Sequence, residues 1–438
     1  MQKKTEKDIL SKNNLKVRIV LESIIVGAIA GLIVSLYRLA LKYIAPYEYK
    51  AYSFMKENNL WIILGIVVLI ILAYIVGFMV EKNSMISGSG IPQIEGMLKG
   101  EFDIKNPIQI LVEKFIGGTI AIGAGLSLGI EGPSIQLGAE AAHVYSNVTK
   151  KCINDKRFLI ASAAGAGLAA AFNAPLAGVF FVLEEMYKCF SKMLFLCSIA
   201  ACVTADLVTW IFFGSKPILE VNIIKALPAK YYIFVIILGI VVGICGVIYN
   251  KTLLKTIKLY KCIKIKLRYR MIIPFMFALF FGIVLPQVLG GGDILINDIL
   301  LNGVAFKFAI ILLISKFILS IASFASDTPG GILFPLLTLG ALVGITFSGI
   351  ITLIAGESNI YATNFILLGM AGMFSSIVRA PITGLILVCE MSGPSLGLGA
   401  VSLVCGIAYL IAEIFKCKPI YESLLDNRLK AMGLKEEE

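Results

Sequence analysis

The sequence contains little charge. Asp, Glu, Lys and Arg make up 15% of its 438 residues, whereas 58% are hydrophobic. Soluble domains are about half apolar and about a quarter charged, so this composition excludes an ordinary soluble fold. Apolar stretches recur along the whole chain, and about 20 such residues suffice to cross a bilayer. The sequence therefore predicts an all-α polytopic membrane protein.

Histidine and cysteine motifs are also scarce. His143 is the single histidine, and the nine cysteines include no CxxC pair. The cysteines are predicted to be small core residues and His143 a satisfied polar residue, so no disulfide frame, metal or cofactor is expected. Residues 125–129 match Gly-x-Ser-x-Gly, but a serine hydrolase needs a strand-to-helix elbow and a histidine base. A membrane-embedded enzyme is therefore a remote alternative.

A cleavable signal peptide is not predicted, because the first 18 residues are mostly polar and basic. They are interpreted as a cytoplasmic amphipathic helix. The formal net charge of +11 does not indicate a nucleic-acid partner, since the basic residues cluster at the ends of apolar spans, at 3–18, 150–157 and 251–270. Such loops face the cytoplasm. We expect a multi-pass protein of the plasma (inner) membrane with both termini in the cytoplasm.

The chain contains an internal repeat. At an offset of 202 residues, the matched segments are 88–90 with 290–292, 114–116 with 316–318, 129–133 with 331–335, and 137–139 with 339–341. At an offset of 206, 173–178 matches 379–384. Proteins built from two such halves bind substrate near the bilayer midplane, where broken helices meet. The predicted units are a cytoplasmic helix at 1–18, two transmembrane halves at 19–220 and 221–425, and a short cytoplasmic tail at 426–438.

The segment Gly129-Ile130-Glu131-Gly132-Pro133 places a carboxylate in apolar sequence. An ionised carboxylate in hydrocarbon is strongly unfavourable unless something compensates its charge. Gly132 and Pro133 are predicted to begin a helix, whose free N–H groups and dipole favour an anion. From this segment alone, a helix cap and an anion site are equally supported for Glu131.

Three segments interrupted by glycine and proline, 88–96, 129–138 and 331–340, are candidates for helix starts that meet at one point. Backbone N–H groups bind a small anion without trapping it, which suits permeation. A phosphate loop would need Gly-Lys-Ser/Thr, which is missing. Ser89 supplies a hydroxyl that caps a helix, donates to an anion, or does both. Tyr421 supplies a phenol donor or anchors the chain at the membrane interface.

Together, Gly-Ser-Gly-Ile-Pro at 88–92, Gly-x-Glu-Gly-Pro at 129–133, Gly-Gly-Ile-x-x-Pro at 330–335 and Tyr421 resemble the CLC family of chloride channels and proton-coupled chloride transporters. The resemblance covers residues 15–425. It implies two inverted halves of broken helices, about 18 helices per subunit, and a homodimer with one anion pathway in each subunit. The chain resembles bacterial members, and the regulatory CBS pair of many relatives is not expected, since 17 residues follow Tyr421.

The resemblance also implies roles for individual residues. It makes Glu131 the gate and proton acceptor, and Glu185 the internal proton-transfer residue that marks exchangers. The chloride-binding residues that it implies are Ser89, Tyr421, Ile332, Leu333 and Gly132. The implied function is chloride/proton antiport across the lipid bilayer. A passive voltage- or pH-gated chloride channel on the same fold is the alternative.

Glu185 differs from its neighbour in the repeat. Glu184 is matched by Glu390 and is interpreted as structural, whereas residue 391 is Met and leaves Glu185 unmatched. An acid in one half only suits a proton route that leaves the symmetric anion path. The alternative is an ordinary solvated charge at a helix end, beside Lys188.

Two further features concern charge near the pathway. Ile130 stands where many relatives have arginine, which alters the electrostatics of the outer gate. Lys114 and Lys316 lie in equivalent spans. They are predicted to pair with buried acids such as Glu95; raising the positive potential around the pathway is the alternative.

Overall fold

The structure is a computed structural model that describes residues 2–221, 226–355, 361–393 and 397–435. Side chains before Val17 lie outside this description. The amphipathic pattern predicted for residues 1–18 therefore falls largely outside it, as do parts of the polar loop 214–230 and the end of the predicted tail.

Eighteen α-helices form the described part of the chain, which confirms the all-α prediction. The first eight are α1 Gln2–Glu57, α2 Asn59–Lys82, α3 Ile91–Lys99, α4 Pro107–Gly123, α5 Glu131–Val148, α6 Ile153–Phe172, α7 Pro175–Phe181 and α8 Lys192–Phe213. The other ten are α9 Tyr232–Cys262, α10 Leu267–Arg270, α11 Ile272–Val284, α12 Asp293–Asn302, α13 Phe306–Phe324, α14 Leu333–Ala355, α15 Ala362–Val378, α16 Pro381–Ser392, α17 Leu398–Ile414 and α18 Ile420–Ala431.

Proline decides where several of these helices begin. Pro92, Pro107, Pro175 and Pro381 occupy the first or second position of their helices, where a missing N–H costs no hydrogen bond. Within the described ranges, seven helices are long and apolar enough to cross a bilayer. Of the interrupted segments, 88–96 forms the short helix α3 with nine residues, whereas 331–340 begins α14, which is one of the seven.

The two halves interlock through backbone hydrogen bonds between their loops. The N–H of Gly88 donates to the carbonyl of Asp327 at 3.2 Å, and its counterpart Gly290 donates to Gly125 at 3.3 Å. Gly88 and Gly290 have φ values of 57° and 60°, a conformation that glycine adopts readily. The repeat found in the sequence thus appears as matched contacts at the centre of the molecule.

The prediction that Lys114 and Lys316 pair with buried acids is wrong. Lys114 Nζ donates to two carbonyls of residues 86–88, at 2.9 and 2.6 Å. Lys316 Nζ donates to two carbonyls of residues 288–290, at 3.0 and 2.7 Å. Glu95 instead pairs at 2.7 Å with the lysine four residues later on α3. Both buried ammonium groups therefore hold the glycine-containing loop of their own half.

Glu184 and Glu390 cap each other's helices across the two halves. The Glu184 carboxylate accepts hydrogen bonds from two backbone N–H groups at the start of α16, at 3.2 and 2.8 Å. The Glu390 carboxylate accepts from two N–H groups at the start of α7, at 3.0 and 2.8 Å. Free N–H groups at a helix start need such acceptors. This reciprocal capping agrees with the structural interpretation of Glu184.

Glu184→Ala and Glu390→Ala should each lower the stability of the fold by about 1–2 kcal/mol, because two N–H groups at a helix start lose their acceptor. The midpoint of thermal unfolding in detergent measures this loss. Glu101→Ala is the matched control, because Glu101 is exposed and its side chain has no hydrogen bond within the described ranges. Unchanged midpoints in both cap variants would contradict the capping role.

Candidate anion site

Glu131 lies between helix starts of the two halves. It is the first residue of α5 and is fully buried. Beside it, Gly129 and Gly331 exchange N–H···O bonds at 2.8 and 2.7 Å. Glu131 Oε1 accepts a hydrogen bond of 2.6 Å from the N–H of Leu333, the first residue of α14. The positive end of a helix in the second half therefore stabilises a negative charge carried by the first half.

The two oxygens of the Glu131 carboxylate differ. Oε2 is buried and makes no hydrogen bond with any described residue. Of the backbone donors predicted around the site, Leu333 is the one that binds the carboxylate, and Ile332 lies buried next to it.

Ser89 packs directly against the start of α5. A Cβ added to Gly132 would lie 2.8 Å from the Cβ of Ser89 and 2.9 Å from its carbonyl oxygen. The N-cap position of α3 is Gly90, and Ser89 Oγ accepts a hydrogen bond of 3.3 Å from the N–H of Ile91, the first residue of that helix. The hydroxyl proton of Ser89 remains available to another acceptor, which makes the two predicted roles compatible.

Tyr421 is fully buried in the first turn of α18. Its hydroxyl makes no hydrogen bond with the described residues, although buried hydroxyls normally have a partner. Tyr421 lies within electrostatic range of both Glu131 and Glu185. Full burial rules out the alternative of an anchor at the membrane interface. No hydrogen bond joins Tyr421 to Ser89 in the described structure, so the two hydroxyls are separate potential donors.

The side chains that hold the loop before Ser89 were not predicted from the sequence. The carbonyls of residues 84–88 accept hydrogen bonds of 2.6–3.3 Å from four side chains, namely those of Gln93, Lys114, Gln136 and Arg428. These donors satisfy the carbonyl oxygens of the loop. They thereby hold the loop so that Ser89 stays near the start of α5. One signal was present in the sequence. Gln136 and Thr338 are equivalent in the repeat, and Thr338 Oγ1 lies within hydrogen-bond distance of the carbonyls of Phe334, at 2.9 Å, and Gly291, at 3.2 Å.

Glu185 is a buried carboxylate and not a solvated charge. It lies in the π turn Val182–Met186 that extends α7, and it is 2% exposed. Such turns are frequent at functional sites. Its Oε1 has no hydrogen bond in the described chain, and the charges around it belong to Lys188, Glu95, Glu184 and Glu422. The Lys188–Glu422 ion pair, at 2.9 Å, is partly exposed and therefore lies closer to the protein surface than Glu185 does.

The residues of the serine-hydrolase pattern do not form a catalytic pair. His143 Nδ1 lies 3.3 Å from Glu140 Oε2, which agrees with its prediction as a satisfied polar residue. The backbone N–H of Ser127 donates to Ser323 Oγ at 3.1 Å. Within the described residues, no hydrogen bond connects Ser127 to His143.

The fold and the site define a helical membrane protein in which two interlocked halves direct helix starts at one buried carboxylate. Residues 69–413 match the family described as voltage gated chloride channel. The chain therefore belongs to the CLC family, whose members are transporters and channels and not enzymes.

Relatives match nearly the whole chain. An H(+)/Cl(-) exchange transporter ClcA of Vibrio parahaemolyticus is 31% identical over 444 residues, which cover 98% of this chain and 94% of the relative. A ClcA of Vibrio cholerae is 31% identical over 452 residues, 100% of this chain and 95% of the relative. A slow cyanobacterial Cl-/H+ antiporter has a similar structure, with a TM-score of 0.87 and 27% identity over 94% of this chain and 98% of that one.

A eukaryotic CLC transporter shares the fold, with a TM-score of 0.76, 19% identity, and coverage of 93% of this chain and 74% of that one. Together these comparisons confirm the family resemblance and the helical fold predicted from the sequence.

Gly132→Ala should destabilise the protein by about 1–3 kcal/mol, because the added methyl group would press on the backbone of Ser89, which a packed core does not absorb. Gly399→Ala is the control, since the nearest atom to its added Cβ is Tyr232 Oη at 3.4 Å. Thermal unfolding in detergent compares the two variants. Equal midpoints would contradict the close packing of α5 against Ser89.

Proposed function

We propose that this protein is a chloride/proton antiporter of the inner membrane. The contact that carries the proposal is the hydrogen bond from the Leu333 N–H to the Glu131 carboxylate. The identity of 31% to two H(+)/Cl(-) exchange transporters over nearly the full length supports it. So does the structural likeness to a Cl-/H+ antiporter at 27% identity.

In this proposal Glu131 is the gate. A carboxylate and a chloride ion carry the same charge and are stabilised by the same donors, the N–H groups of Gly132, Ile332 and Leu333. They therefore compete for one position. Protonation removes the charge of Glu131 and weakens its bond to Leu333, so the side chain leaves and chloride enters. Each cycle couples one proton on Glu131 to anion entry.

Ser89 and Tyr421 form the central chloride site. The oxygen of Ser89 accepts from the N–H of Ile91 and leaves its proton for another acceptor, and the phenol of Tyr421 is buried without an acceptor among the described residues. Two hydroxyl donors replace part of the water that a dehydrated anion loses, and no fixed cation binds it too tightly to leave.

Glu185 transfers protons between the cytoplasm and Glu131. Its burial and its position beside the partly exposed Lys188–Glu422 pair suit a residue that receives protons from one side of the membrane. Its presence in one half only favours exchange over the alternative of a passive channel. We further propose that the protein is a homodimer with one pathway per subunit and with both termini in the cytoplasm.

Glu131→Gln mimics a permanently protonated gate. In liposomes it should conduct chloride without moving protons, and its flux should no longer depend on pH in the acid range. Chloride efflux and proton uptake are recorded together. Glu140→Gln is the control, because Glu140 is a buried carboxylate of the same helix that bonds His143 and not a helix start; it should keep coupling. Retained proton transport in Glu131→Gln would refute the assignment of Glu131 as the gate.

Glu185→Gln should leave chloride flux in place and stop uphill proton movement, because the internal proton donor is lost while the anion path remains. The same liposome assay measures both ions. Glu184→Gln, one residue earlier, keeps an oxygen to cap α16 and should remain coupled. If a chloride gradient still drives protons against their own gradient in Glu185→Gln, another residue carries the proton.

A further inference from the structure

A large cavity leads to the gate, and the last turns of α6 and α11 line it. Because both helices begin at the basic segments 150–157 and 251–270, the cavity lies on the opposite side of the protein from those segments. It has a volume of about 1080 Å³, and Ile130 and Phe334 lie at its inner end. We call it the outer vestibule. Ile130 is apolar and half-buried, and Phe334 packs on Phe172 with ring centroids 4.9 Å apart. Neither of these two side chains presents a positive charge to the vestibule.

One wall of the outer vestibule is the end of α1. Its candidate membrane span, Val17–Glu57, has 41 residues. At about 1.5 Å per residue it is about 60 Å long, twice the thickness of the hydrocarbon core, which is about 30 Å. Its last turns therefore extend beyond the hydrocarbon and line the cavity.

This wall carries a cationic stripe, which we define as Arg38, Lys42, Lys50 and Lys56. Among the described lining residues, every Lys and Arg comes from α1, and the opposing acids are Glu48 and Asp293. Four positive charges face two negative ones. Arg38, Lys42 and Lys56 share one helical face, because their spacing is close to whole turns of 3.6 residues. The three lysines are exposed.

Arg38 fixes the inner end of the stripe. Its Nη1 donates to the carbonyl of Ala170 at 2.6 Å and to Asn173 Oδ1 at 2.7 Å. Its guanidinium carbon lies 4.2 Å from the centroid of the Phe213 ring, and Lys42 Nζ lies 5.8 Å from the same ring. Both hydrogen bonds use Nη1, so Nε and Nη2 have no hydrogen bond to the described chain. Asp206 and, more weakly, Asp293 lie within electrostatic range of Arg38.

We propose that the cationic stripe is an anion-capture site, which concentrates small monovalent anions in the outer vestibule before they reach Glu131. It supplies from α1 the positive charge that Ile130 does not provide at the gate. Cationic walls around a cleft raise the local concentration of anions, and salt screens the effect. This inference deepens the proposed function and rests on it for the identity of the anion.

The test varies chloride on the vestibule side of oriented proteoliposomes at low ionic strength. Lys42→Gln, Lys50→Gln and Lys56→Gln should each raise the half-saturating chloride concentration about two- to five-fold, with the maximal rate unchanged. Glu48→Gln and Asp293→Asn should lower it, because they remove opposing charge. All five shifts should shrink at high ionic strength. Arg38 is left intact because its bonds hold the end of α6.

Lys258→Gln is the matched control, since it removes the same charge from an exposed position on α9, among the basic residues assigned to the cytoplasmic side. Equal shifts in Lys258→Gln, or no shift in the three stripe lysines, would overturn the capture site. So would a change in maximal rate alone. The test of the cationic stripe uses the half-saturating chloride concentration, which can be measured whether or not chloride flux is coupled to protons. Chloride flux without proton coupling would instead refute the proposed function.

Discussion

The buried hydrogen bond between the Glu131 carboxylate and the N–H of Leu333 is the constraint on which the rest of the site depends. A negative charge at this depth needs donors that have already lost their water, and a helix start provides them without a fixed cation. Because the carboxylate belongs to α5 and the donor to α14, the bond forms only if both halves are in register. The Gly129–Gly331 backbone pair keeps that register at 2.8 and 2.7 Å.

Exposing N–H groups to an anion requires that neighbouring carbonyls be held by other donors. Lys114 and Lys316 do this in equivalent loops, each with two bonds to backbone oxygens. In the first half, Arg428 adds a bond of 3.0 Å to the carbonyl of Ser84. Since Arg428 and Tyr421 lie on the same helix, α18 both carries the phenol that we propose for the chloride site and holds the loop that precedes Ser89.

Much of this arrangement could be predicted from the sequence, because glycine and proline leave clear signals where helices start and turn. The start of α5 was predicted at Gly132 and Pro133 from their sequence, one residue after its position at Glu131 in the structure, and the match of Glu184 with Glu390 followed from the repeat. The partners of Lys114 and Lys316 could not be predicted, because a backbone carbonyl carries no side-chain signal and a buried lysine suggests an acid. The sequence alone could not decide whether Glu185 is buried, since its neighbour Lys188 is typical of a solvated helix end.

We propose that anion entry at Glu131 is coupled to one proton. This coupling can be measured on the unmodified protein in liposomes, with a chloride gradient imposed and a proton gradient opposed to it. Coupled exchange requires that protons move against their gradient while chloride moves down its own, and that the reversal potential shifts with the pH difference across the membrane. A reversal potential that stays at the chloride equilibrium value at every pH difference would contradict it and identify a passive channel.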